Sequence, residues 1–469
     1  MLVKRNLGHS ILDWVFKNPS RMIIFSFLLV ILIGSVLLVL PFSTYSGHHL
    51  NYFEALFTAV SAVCVTGLIV ADTATTFTIF GKVVLILLIQ VGGLGLVTIT
   101  SFIFSFTRKK QEFKTRQIAQ ETSGSFSFKE APLLLRFILG LTLGFEFVGG
   151  CLFAIEYVPK YGWAEGLGKA FFQGISAYCN AGFDLMGNTE SGQYSSLVGF
   201  YNSPLIVITT VCLILFGGLG FTVWVDLFSK IKNPRKHRLK IHSRIVLEWT
   251  LGLTLLGVIA MFILEFSNKG TMADMSIKDR LLSSLFQSVT FRTAGFNTID
   301  LGALTNPSKT IGILLMFIGA GSGSTGGGIK ITTFAIIVYS VISEIRGNKD
   351  TVTHKHTLPA PLVRRAVAIF FIGISVDLGL SILLSITEHN AIMNGNFNFI
   401  DVVFEVTSAF ATVGVSSLGT PQLLTISKVL LIPAMFLGRV GPISLALSLA
   451  MRDSRKIGEV YPEGKVHIG

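Results

Sequence analysis

The sequence predicts an all-α membrane protein with four parallel repeats of span, pore helix and loop, and span, making eight transmembrane helices around a central pore. Three observations carry this. Hydrophobic residues make up 51% of the 469 residues and charged residues only 14%, with a mean hydropathy of +0.67, a composition that excludes a string of water-soluble domains. A short motif closing on glycine recurs four times at nearly equal spacing. Basic residues collect in the polar stretches between the apolar blocks.

A helix rises about 1.5 Å per residue, so roughly 20 apolar residues cross about 30 Å of hydrocarbon. Stretches 22–40, 83–106, 205–228, 246–266 and 427–451 reach that length. The first has no small-residue cleavage site after it and further spans follow, so it is expected to be retained rather than removed as a targeting segment. In order, the chain divides into a cytoplasmic N-terminus at 1–21, pore repeats at 22–106, 132–228, 246–342 and 366–451, and a cytoplasmic C-terminal tail at 452–469.

The five polar stretches 1–21, 107–131, 229–245, 343–365 and 452–469 hold 26 of the 38 Lys and Arg residues and nine acidic ones, a net charge of +17 against −5 for the remainder. By the positive-inside rule these stretches and both termini face the cytoplasm, as expected for a multi-pass protein of the plasma (inner) membrane. The charge therefore sets topology and makes no case for nucleic acid. The polar stretches are too short for a ligand-binding domain, so any nucleotide control has to come from a partner chain.

The recurring motif reads FTAVSAVCVTGL at 57–68, FQGISAYCNAGF at 172–183, FQSVTFRTAGF at 286–296 and FEVTSAFATVGV at 404–415. Its closing glycines, Gly67, Gly182, Gly295 and Gly414, are 115, 113 and 119 residues apart, the signature of internal repetition. Each unit reads as a span, a short re-entrant helix, a glycine turn and a span. A second glycine cluster sits in each second span, at 92–95, 217–220, 319–321 and 438–441. In units one, two and four it predicts close packing by small residues. In unit three, six glycines fall within 319–328, and at about 0.8–1 kcal/mol per glycine relative to alanine a helix should break there.

Non-helical backbone survives at membrane depth only where protein or a water-filled cavity surrounds it. Four such turns on one axis can aim carbonyls inward to replace a cation's hydration shell, with the negative ends of the short helices adding to the attraction. Glycine suits the turns because it takes positive φ without steric cost. Arg439 lies inside a span, where an ionisable residue is a functional candidate; Glu146, Glu156 and Asp377 are expected to make helix-to-helix hydrogen bonds.

Other chemistries lack support. Gly321, Gly323 and Gly326 match G-x-G-x-x-G, but no βαβ context surrounds them, and Lys330 is not placed as in a Walker loop. The four cysteines show no CxxC spacing and the nine histidines no HExxH pairing, so neither a transition-metal site nor an enzyme is expected. The alternative class is a secondary cation transporter with alternating access, which also uses repeats and broken helices. Inverted repeats would alternate in charge orientation, whereas every linker here is basic.

The four turn motifs, the loop GAGSGSTGGGIK and the segment FLGRVGP resemble the Ktr/Trk/HKT superfamily of potassium transporters, over essentially the whole chain. The arrangement is similar to the membrane subunit of bacterial Ktr potassium uptake systems. The resemblance implies a selectivity filter formed by Val65, Thr66 and Gly67; Asn180, Ala181 and Gly182; Thr293, Ala294 and Gly295; and Thr412, Val413 and Gly414. None reads TVGYG, which leaves sodium open as a second permeant or coupling ion beside the transported K+. It implies a gate at Gly319, Ala320, Gly321, Ser322, Gly323, Ser324, Thr325, Gly326, Gly327 and Gly328, contacted by Arg439. It also implies a homodimer and a ring of cytosolic nucleotide-binding regulatory subunits.

Overall fold

The computed structural model describes residues 19–47, 50–106 and 131–441. Residues 1–18, the linker at 107–130 and the tail from 442 onward, including the expected end of the last span, lie outside the described residues.

Four long helices come first in each unit: α1 (Pro19–Val39), α4 (Ala131–Tyr161), α8 (Ile241–Glu265) and α12 (Ala360–Thr387). Among the described residues these are the four single helices long and apolar enough to cross a membrane. Their flanks expose Leu29, Phe147, Ile259 and Phe371, as a helix apolar all round does when lipid is its solvent.

A short helix, largely buried toward its C-terminal end, follows each long one: α2 (Tyr52–Cys64), α5 (Trp163–Tyr178), α9 (Ile277–Thr290) and α13 (Phe399–Phe410). The starts of three are fixed by local chemistry. Asn51 and Glu54 form a reciprocal capping box, as do Asn398 and Asp401, and the Ser276 hydroxyl accepts from the Asp279 amide. All four carry an acid in the first turn, Glu54, Glu165, Asp279 and Asp401, complementing the positive end of the helix dipole.

The second helices are α3 (Ile79–Phe106), α6 (Pro204–Leu219) with α7 (Phe221–Lys232), α10 (Asn306–Phe317) with α11 (Ile331–Ile345), and α14 (Thr425–Val440). Here the structure corrects two expectations. The stretch 205–228 is not one straight helix: α6 and α7 meet at 98° across Gly220. The glycine clusters of units one, two and four pack closely as expected, Gly92 against the Val63 carbonyl and Gly438 against that of Phe410, but they also interrupt the helix. Gly95, Gly220 and Gly441 have φ of 65°, 95° and 90°, so all four second helices end or kink at their glycine cluster.

Three second helices pack on the short helix of their own unit, α3 on α2, α6 on α5 and α14 on α13. All four pack on that of the next: α3 on α5, α6 on α9, α10 on α13, and α14 back on α2. The contacts run in a closed cycle that brings the ends of the four short helices to one centre.

Candidate filter and gate

The short helices end in turns of one shape. Val65, Asn180, Thr293 and Thr412 take φ of 57°, 58°, 70° and 52°, and the closing Gly67, Gly182, Gly295 and Gly414 take 97°, 73°, 84° and 91°. The middle residues, Thr66, Ala181, Ala294 and Val413, stay out of the left-handed region, so each tripeptide alternates in handedness. A non-glycine residue in that region is uncommon and marks a constrained site.

The amides turn back toward the helices. Thr66, Ala181 and Val413 donate to the carbonyls of Ser61, Ser176 and Ser408, each at 2.8 Å, and the Gly67 and Gly414 amides donate to the Ser61 and Ser408 hydroxyls at 3.1 and 3.0 Å. In unit three, shorter by one residue, Ala294 donates to the Thr290 carbonyl at 3.0 Å and the Thr290 hydroxyl donates to the Phe296 carbonyl.

The structure brings all twelve tripeptide residues together. A Cβ placed on Gly67 would lie 2.6 Å from the Ala181 carbonyl oxygen, one on Gly182 2.7 Å from Gly295 Cα, one on Gly295 2.7 Å from the Val413 oxygen, and one on Gly414 2.8 Å from Gly67 Cα. The glycines therefore close a ring in the order of the chain. The Asn180 side-chain amide donates to Thr293 Oγ1 at 3.4 Å, and buried Thr66 Oγ1, Asn180 Oδ1 and Thr412 Oγ1 have no hydrogen-bond partner among the described residues.

All four glycines border one open recess of about 410 Å³. Asp72, Asp184 and Asp300 also line it, and among the described residues no Lys or Arg does. Asp72 is held by the amides of Ala74, Thr75 and Tyr194. Desolvation pushes the Asp184 carboxyl up to about 6 even though it accepts from the Met186 amide, and the negative Asp72 nearby adds to the rise.

On the opposite side of the ring lies the segment 319–328. Its ends are tied together, Ile318 bridging Ile329 and the Gly319 amide donating to the Ile329 carbonyl at 2.8 Å. It is held to unit two by the Gly321 and Thr325 amides donating to Gly218 and Gly217, and by the Phe221 amide donating to Gly323. A Cβ on Gly326 or Gly327 would strike the Thr293 or Thr412 hydroxyl, so the segment presses on the first residues of tripeptides three and four. Arg439 donates to the Thr325 carbonyl and to the Gly92 and Gly93 carbonyls of α3.

Sequence reasoning missed several groups. Lys330 donates to the Gly326 carbonyl at 2.6 Å, a second cation beside Arg439 that stood in view inside the loop motif. Buried Arg292, next to Thr293, donates to the Thr250 carbonyl and the Thr254 hydroxyl at 3.1 and 3.2 Å. Glu405 accepts from Ser416 and Thr420 at 2.7 and 2.6 Å, bracing the chain after tripeptide four. Buried Lys309 and Asp401 pair at 2.7 Å. Glu146, Glu156 and Asp377 meet Gln90, Ser203 and Thr407 on neighbouring elements.

Comparison with known proteins gives a consistent picture. A family model described as TrkH, cation transport protein, matches residues 8–459. The Ktr system potassium uptake protein B of Bacillus subtilis is 38% identical over 98% of both chains, and that of Vibrio alginolyticus 38% identical over 96% of this chain and 95% of its own. The potassium/sodium uptake protein NtpJ of Enterococcus hirae is 33% identical over 96% and 97%. The crystal structure of the potassium transporter TrkH from Vibrio parahaemolyticus shares the fold, with a TM-score of 0.68 at 19% identity over 91% of this chain and 85% of that one. With a family model matching nearly end to end and relatives well above 30% identity along their full length, the chain belongs to the TrkH family of cation transport proteins.

Proposed function

We propose that the chain is the membrane subunit of a channel-like potassium uptake system, conducting K+ through a central pore made by four repeats and eight spans. The observation that carries this is the closed ring of Gly67, Gly182, Gly295 and Gly414 at the floor of one acidic recess. With the amides turned back into the short helices, the carbonyls are the groups left to coordinate a dehydrated cation. The twelve tripeptide residues form the filter, and the unpartnered Asn180 and Thr412 side-chain oxygens add ligands at its inner end. About half a negative charge at each helix C-terminus favours cations over anions.

The segment 319–328 is the gate. Its position against Thr293 and Thr412, with Arg439 and Lys330 beside it, supports a plug that an outside signal withdraws. That signal comes from a cytosolic nucleotide-binding subunit ring acting on a homodimer of this chain through the basic linkers, with both termini cytoplasmic. The names of the relatives from Bacillus subtilis and Vibrio alginolyticus support potassium as cargo, and that of the relative from Enterococcus hirae keeps sodium as a second ion.

The test is potassium uptake in a potassium-uptake-deficient bacterium expressing the chain with a matching regulatory subunit, comparing wild type with Gly67→Ser. At φ 97°, with the Ala181 oxygen 2.6 Å from any Cβ, serine must distort the ring, and growth at low potassium is lost or turns sodium-dependent. No rescue by membrane-inserted wild type would refute the reading.

A further inference from the structure

The bend at Gly220 touches the segment 319–328 through the Phe221 amide and the Gly323 carbonyl, but the helix that runs on from it has no role in the filter or the gate. If α6 crosses the bilayer, α7, at 98° to it, runs along the membrane rather than through it. One side of α7 packs inward: Val223 and Asp226 are buried, and the Trp224 indole N–H donates to the Phe216 carbonyl at 2.9 Å. The other side exposes Phe228 (42%) and Ile231 (73%). Phe228 meets Phe137 near the start of α4 at 5.5 Å, which brings exposed Arg136 to the same edge.

The loop after α7 is built rather than loose. Asp226 pairs with His237 Nε2 at 2.6 Å and accepts the Lys240 amide at 2.9 Å. Asp226 is the only acid in 221–247, and it is buried and spent on the loop's own closure. Lys232, Arg235, Lys236, Arg238 and Arg244 are all exposed. The next acid along the chain, Glu248, pairs with His354.

We propose that α7 and the loop 233–240 form a binding surface for anionic phospholipid. The cations take the headgroup phosphate, while Phe228 and Ile231 enter the acyl boundary. Amphipathic helices with basic polar faces bind anionic bilayers in this manner. Two exposed apolar side chains beside the cations favour a lipid over a soluble acidic partner, which would leave them in water. The proposal rests on the reading above only for the crossing of α6.

Trp224 sits on α7 and reports directly. In full-length chain with the other three tryptophans replaced by Phe, reconstituted in phosphatidylcholine vesicles, brominated phosphatidylglycerol should quench Trp224 at a concentration at least about tenfold below brominated phosphatidylcholine. Replacing Lys232, Arg235, Lys236 and Arg238 by Gln should abolish that preference. Replacing Arg346, Lys349, Lys355 and Arg364 of the neighbouring linker by Gln should leave it intact and controls for net charge. Equal quenching by both lipids, an unaltered preference in the fourfold variant, or full displacement by inorganic phosphate overturns the proposal. So does a fourfold variant that loses a protein partner while keeping the lipid preference. Failed potassium uptake with the preference intact would remove the proposed function and leave this surface standing.

Discussion

At the scale of single residues, Arg439 combines a charge and a tether. Its guanidinium joins the Thr325 carbonyl of the proposed gate segment to the Gly92 and Gly93 carbonyls of α3, so removing it should free the segment and take a positive charge from the proposed cation path. Arg439→Ala should raise K+ flux into vesicles, with Arg439→Lys between it and wild type because an ammonium keeps the charge but not the fork of donors. Flux in a folded Ala variant at or below wild type would count against the gate. Asp184 sets a pH dependence. Its carboxyl titrates near 6 in the folded chain and near 4 unfolded. Between those values the folded protein holds a proton the unfolded chain has released, so this group's contribution to stability is lost as pH rises through the window. For transport the sign is opposite: below about pH 6 the recess loses a negative charge, and apparent cation affinity should fall. Uptake kinetics against external pH should show this inflection in wild type and not in Asp184→Asn.

At the scale of elements, small residues decide how closely helices approach. The Gly217 position leaves no room for a methyl group, which would meet the Tyr178 carbonyl oxygen, with Thr325 Oγ1 and Asn180 Oδ1 at 2.8 and 2.9 Å. Gly140 on α4 has open space. Gly217→Ala should lower stability by about 1–3 kcal/mol through overpacking, and Gly140→Ala should leave it unchanged or raise it by up to about 1 kcal/mol. Thermal unfolding in detergent distinguishes the two. The turn motifs were legible in the sequence because their chemistry is local: a glycine at positive φ and a serine that caps its amide declare themselves within a dozen residues. The break at 319–328 was legible from glycine density alone. The breaks at Gly95, Gly220 and Gly441 were not, since a glycine pair in an apolar helix reads as packing until the facing segment is known. Arg292 and Lys330 escaped for another reason: they bond to neutral groups, Thr250 and Thr254 on α8 and the Gly326 carbonyl four residues away, so no acid marks them.

At the scale of the whole molecule, a buried ion pair fastens one joint of the cycle of contacts. Lys309, at the start of α10, meets Asp401 at the start of α13, both buried, and also donates to the Gly302 carbonyl at 3.0 Å. Lys309→Met leaves a buried carboxylate without its cation and should cost about 3–5 kcal/mol, most of which a paired Asp401→Asn change restores, since it removes the charge and keeps an acceptor for the Asn398 amide. A double-mutant cycle on unfolding free energy measures the coupling.

The seam where the cycle closes also dictates how the chain can be made. The bond from Arg439 to Gly92 spans 347 positions, and α14 is the element that covers the open flank of α2. During synthesis the first turn motif therefore waits, on the proposed pore architecture with its backbone inside the bilayer, for a neighbour made 347 positions later. Contacts of such long range form late, and exposed irregular backbone is costly in lipid. Nascent chains stalled before α14 should thus be held by membrane-embedded chaperones or cleared by membrane proteases, and premature truncation should yield no partial product that accumulates.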